Sequence, residues 1–129
     1  MSPTLPRRGI ILFAHGSRDP LWSLPMEAVA ARAHQLDAQA LVRCAYLELT
    51  TPDLPTCAAE LVAAGMQSIT IVPMFLGIGK HAREDLPRLM ADLQASHPGV
   101  AWHLQGAVGE DTRVTDLLAR IALAGDGMA

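Results

Sequence analysis

Cysteine, aromatic side chains and long apolar runs are all scarce in this sequence, and each shortage excludes a class of protein. Only two of the 129 residues are cysteine, Cys44 and Cys57, with no C-x-x-C pair. That supply does not make a zinc knuckle, an iron–sulfur cluster or a disulfide framework, so both thiols are expected to be free and buried. Aromatic residues make up 4% of the chain and the formal net charge is −3. Without stacking platforms or a cationic surplus there is no general attraction to nucleic acid. No apolar run approaches the roughly 20 residues of a membrane-spanning helix, and no signal-peptide pattern follows Pro3, Pro6, Arg7 and Arg8. The expectation is a soluble, cytoplasmic protein with neither a nucleic-acid nor a membrane partner.

What is present is apolar and regularly spaced. Half the residues are hydrophobic and 18% are charged, enough to build one core and too few charges for a disordered chain. Near-continuous apolar runs at 9–14, 41–47, 68–75 and 100–104 read as strands covered on both faces, the habit of a parallel sheet. Helical periodicity separates them. The stretch 21–38 puts Trp22, Met26, Val29, Ala30, Ala33 and Leu36 largely on one side. A second helix over 52–64 has Thr51 as its cap and Pro52 at its first position, and stops before Gly65. A third is expected over 84–96 and a fourth over 111–123, the last with Val114, Leu117, Leu118 and Ile121 on one face. Asp-Leu-Pro at 53–55 and again at 85–87 reads each time as a helix opening, where proline is tolerated. The β-α alternation with right-handed crossovers predicts an α/β fold, a small doubly wound four-stranded parallel sheet of order 2-1-3-4 flanked by helices. Its boundaries are an N-terminal extension at 1–8, a single domain at 9–124 and a frayed tail at 125–129.

Such sheets bind ligands beyond the carboxyl ends of their strands. Reading those ends gives His15 after strand one, Glu48 after strand two and His81 beyond strand three. With strands about 4.8 Å apart, the three tips fall within one pocket. Two imidazoles and a carboxylate can bind a divalent transition metal and can accept protons near neutral pH. Each residue taken alone also has a structural reading: a hydrogen bond to a loop, a solvated strand end, a polar residue before a helix. Arg18, Lys80 and Arg83 lie in the expected loops around His15 and His81, where they would hold carboxylates or phosphates by charge-assisted bonds. Ser17, Gly77 and Gly79 complete the candidate substrate contacts, the glycines allowing a tightly turned loop. His34, His97 and His103 read as structural or exposed. Familiar motifs fail: "GIGKH" lacks the earlier glycine and the Ser or Thr of a phosphate-binding loop, and Ser17 is not in a G-x-S-x-G elbow.

The segments "LFAHGSRDP" at 12–20, "AYLEL" with "TPDLP" at 45–55, and "VPMFLGIGKHAREDLP" at 72–87 resemble the class II tetrapyrrole chelatases, above all the short CbiX-type sirohydrochlorin cobaltochelatases. The resemblance runs from Gly9 to about Leu123. It implies a chelatase-like half-unit that inserts a divalent metal into sirohydrochlorin, Co2+ first and Fe2+ or Ni2+ as alternatives, with no permanently bound cofactor. It maps His15 and His81 onto metal-handling histidines and Glu48 onto an acidic position. It also implies a homodimer, because longer relatives enclose the cleft between two such domains. Two other readings use the same residues: a carrier that binds metal or tetrapyrrole without turnover, and a phosphoester or carboxylate hydrolase, for which no nucleophile is evident.

Overall fold

In a computed structural model, residues 8–125 are described. The elements run β1 (Arg8–Ala14), α1 (Leu24–Leu36), β2 (Leu41–Tyr46), α2 (Leu54–Ala63), β3 (Ser68–Pro73), α3 (Lys80–Ser96), β4 (Ala101–Leu104), a 3₁₀ turn (Val108–Glu110) and α4 (Thr112–Ala124). All strand pairs are parallel and the order is β2-β1-β3-β4, as the alternation of elements implied. Arg8 belongs to β1 rather than to an extension. The remaining residues assigned to the extension and, after Gly125, those of the tail lie outside the described residues.

Strand residues two apart share a face, and the sheet accordingly splits its core in two. Ile11, Phe13, Ala45, Ile69, Ile71 and Trp102 pack with α2 and α3. Leu12, Ala14, Val42 and Tyr46 pack with Met26 of α1. Cys57 is buried and Cys44 half-buried, both as free thiols.

Three helix boundaries differ from the sequence reading. First, α2 is capped by Asp53, not Thr51: its carboxylate accepts the Thr56 N–H at 2.9 Å, and Pro55 occupies the first turn. That bond holds the Asp53 carboxyl below its ordinary value of 3.8. The cap therefore contributes fully above that pH and fades as pH falls through the lowered folded value. Asp53→Ala is expected to cost about 1 kcal/mol in a denaturant titration at pH 7, with the difference vanishing in strong acid. At the other end Gly65, with φ +91, takes the left-handed position, and the Met66 N–H reaches the Leu61 carbonyl at 3.1 Å.

Second, α3 starts at Lys80, so Asp85-Leu86-Pro87 lies inside the helix instead of opening it. Pro87 removes one intrahelical hydrogen bond, a cost of about 3 kcal/mol. Burial of Leu86, Met90 and Leu93 against the sheet, at about 1.5–3 kcal/mol each, outweighs it. Third, α1 starts at Leu24 and buries only Met26. Val29 and Leu36 of the expected inner face are 43% and 70% exposed.

Candidate functional site

The site is built from the carboxyl edge of the sheet. Ile11 and Phe13 face α2 and α3, and the two-residue alternation sends the next member, His15, to the same side. The strand has ended by then, so the imidazole stands exposed. Its ring rests on Phe75 with centroids 4.8 Å apart, and Phe75 in turn meets Phe13 edge-on at 6.3 Å. A column of rings thus runs from the core to the surface and props His15 from below.

The backbone around it is pinned. The Glu48 N–H donates to the His15 carbonyl at 3.0 Å, and the Leu47 N–H to the Ala14 carbonyl at 2.9 Å. Thr50 clamps the two loops: its hydroxyl accepts the Ser17 N–H at 2.9 Å and donates to the Ser17 carbonyl at 2.8 Å. Between these contacts Gly16 takes φ +100, and a Cβ there would overlap the Glu48 carbonyl oxygen. The Gly109 N–H donates to the Phe75 carbonyl at 2.9 Å, which anchors the third loop.

Glu48 is exposed beside an open hollow of about 490 Å³ that runs from Leu47 to Thr56. His81 is the second residue of α3, exposed in its first turn on the helix that covers the His15 side of the sheet. Strand two and strand one are thus joined directly at their tips by the Glu48–His15 backbone bond, whereas His81 arrives on a helix rather than on a strand tip. Among the described residues no three His, Cys, Asp or Glu side chains gather into a metal-holding group. His15 and Glu48 follow the carboxyl ends of β1 and β2, and His81 opens the helix that follows β3.

Lys80 and Arg83 likewise sit on the first turn of α3, not in a loop as the sequence suggested, because the helix continues through Pro87. Arg18 remains in the loop after β1. All three cations are exposed, and none takes part in the four ion pairs formed among the described residues. Ser17 uses its hydroxyl to accept the Asp19 N–H at 3.1 Å, so it also serves the turn. Gly79 caps α3, and a Cβ at Gly77 or Gly79 would meet open space, so contact with protein demands glycine at neither position.

Phe75 and Thr50 are the members that sequence reasoning missed, along with two exposed leucines at the mouth. Leu49, with φ +66, is 56% exposed, and Leu76 is 70% exposed. A left-handed leucine is costly, and only that backbone value would have marked it. The thiols do not compete for the role. Burial pushes Cys57 up to about 12 and raises Cys44 as well, which keeps both protonated near neutral pH.

Comparison with known proteins agrees with the fold. A family model described as CbiX matches residues 9–123. The sirohydrochlorin cobaltochelatase of Methanothermobacter thermautotrophicus is 31% identical over 85 residues, 66% of this chain and 59% of that protein. The chloroplastic sirohydrochlorin ferrochelatase of Arabidopsis thaliana is 26% identical over 85% of this chain, and the match spans 49% of its own length. Among solved structures, a CbiX protein of Marinobacter aquaeolei VT8, named for cobalamin (vitamin B12) biosynthesis, superposes with a TM-score of 0.81 at 31% identity. That match covers 95% of this chain and 99% of that one. SirB from Bacillus subtilis with Fe3+ shares the fold at a TM-score of 0.76 and 23% identity, over 92% of this chain and 48% of that one. A match over residues 9–123, which takes in nearly all of the sheet and its four helices together with His15, Glu48 and His81, makes the conclusion direct: the chain belongs to the CbiX family.

Proposed function

We propose that this protein is a sirohydrochlorin chelatase that inserts a divalent metal into the ring, Co2+ by preference with Fe2+ or Ni2+ as alternatives. It would do so in the cytoplasm as a homodimer, with no permanently bound cofactor; among the described residues no helix is long and apolar enough to cross a membrane. The observation that carries the reading is His15, an exposed imidazole propped on Phe75 at the binding edge of a CbiX fold. The metal is a substrate here, as it is for the cobaltochelatase and ferrochelatase named above.

The chemistry asks for what these residues supply. Two pyrrolic protons leave as the metal enters, and a neutral imidazole is a suitable acceptor. His15 and His81, with the Glu48 carboxylate, suit the partial replacement of a metal's water shell while leaving positions for ring nitrogens. Sirohydrochlorin carries eight carboxylates, and Arg18, Lys80 and Arg83, which form no ion pair among the described residues, are cations to hold them. Leu49 and Leu76 offer apolar contact to the macrocycle.

The test is a visible-spectrum assay of the purified protein with sirohydrochlorin and each metal in turn. The expected result is insertion well above the protein-free rate, fastest with Co2+. A rate equal to the protein-free control for all three metals would overturn the proposal, and tight binding without an absorbance change of insertion would make the protein a carrier instead.

A further inference from the structure

The fourth helix is amphipathic and makes no substantial contact with the sheet. Val114, Leu117, Leu118 and Ile121 recur at helical spacing along one side, the spacing of a face meant for burial. Yet none of its residues is buried: Leu117 is 58% exposed, Leu118 42% and Ile121 59%. Its substantial contacts are with the 3₁₀ turn that immediately precedes it, not with any strand. The opposite side carries Arg113, Asp116 and Arg120, with Arg120 paired to Asp116 at 2.8 Å, so the polar face is provided for and the apolar one is not.

The sheet has a matching deficit. Trp102 of β4 and Ile69 and Ile71 of β3 turn toward α3. By alternation Thr70, Val72, Ala101 and His103 point to the opposite face, the face that α1 covers over β2. There Thr70 and Val72 are only half-buried, and Ala101 and His103 are exposed. Parallel sheets are covered on both faces. An incompletely covered strip and a helix with no substantial hold on any strand therefore occur in one molecule. Two such surfaces satisfy each other when a second copy is present, because a two-fold pair presents each of them twice. The length of the SirB chain, about twice the stretch matched here, leaves room there for a second unit of this size within one polypeptide.

We infer that α4 of each copy lies across the β3–β4 face of a second copy, so that the dimer is held by exchanged C-terminal helices. This rests on the homodimer proposed above and names the surface that makes it. It does not depend on which metal or tetrapyrrole is used.

The experiment is light scattering on the wild-type chain and on a Leu117→Asp/Ile121→Asp variant, with circular dichroism as a check on folding. The wild type is expected at twice the chain mass and the variant at half of that, with helical signal retained. A second measurement guards against a variant that unfolds. Leu118→Cys and His103→Cys are made singly and alkylated with a maleimide across a protein dilution series. Both thiols are expected to be protected several-fold at high concentration and freed on dilution, against the slow background of Cys44 and Cys57. A dimer in which Leu118→Cys is protected and His103→Cys is not would overturn the exchange, since α4 would then pair elsewhere. A dimer unchanged by the aspartates would overturn the assigned surface and leave the homodimer intact. A wild-type monomer at all concentrations would overturn both, while leaving the chelatase reading to the spectral assay.

Discussion

A His15→Ala variant is expected to keep its fold and to lose metal insertion by about 10²–10⁴-fold, the range over which a positioned acid–base group acts. The side chain is exposed and rests on Phe75 without entering the core. The bond that ties this residue to Glu48 uses its backbone carbonyl, which alanine retains. Stability should therefore change by no more than about 0.5 kcal/mol, the usual scale for a surface position. His81→Ala is expected to act in the same direction. Initial rates with Co2+ and sirohydrochlorin, set beside denaturant midpoints for the same preparations, separate chemistry from folding. A His15→Ala protein that folds normally and inserts metal at the wild-type rate would remove the imidazole from the mechanism.

The largest effect on stability is expected at Gly16. Its φ of +100 lies where a side chain is strained, and a Cβ would overlap the Glu48 carbonyl oxygen, a backbone atom that cannot swing aside. Left-handed strain costs roughly 1–2 kcal/mol and overpacking typically about 1–3 kcal/mol. Gly16→Ala should thus lose about 2–5 kcal/mol, a fall in Tm on the order of 10 °C for a chain of this size. Relief of the overlap would also push Glu48 away from His15, so insertion should fall even at temperatures where the variant is folded. Gly77→Ala is the matched control. A Cβ there meets nothing within 4 Å, and removing glycine's freedom from the unfolded chain is neutral to slightly stabilising. Equal melting temperatures for the two variants would contradict the geometry of the first loop.

These two loops also mark where reading the chain residue by residue stops. The clamp from Thr50 to Ser17 joins residues 33 apart, and the ring of Phe75 reaches His15 from the loop after β3. No local pattern announces either contact. The start of α3 escapes the local pattern for a related reason: a proline inside a periodic stretch reads as a boundary, and only packing against the sheet outweighs its cost. The same stretch then shifted Lys80, His81 and Arg83 from loop to helix. The apolar stripe of α4 was plain in the sequence, but its spacing does not say which surface it meets.

Periodicity and composition by themselves determined the element types, the parallel sheet and the free thiols, because each follows from spacing or residue supply along the chain, whereas the 2-1-3-4 order was an expectation for such a sheet that the strand pairing bears out. They also singled out His15, since a polar residue at the end of an apolar run stands out locally. Tertiary structure alone decided that His15 stands on Phe75, that Gly16 must lack a side chain, and that α4 is left uncovered. Those are contacts, or missing contacts, between segments far apart in sequence, and they exist only once the backbone has closed on itself.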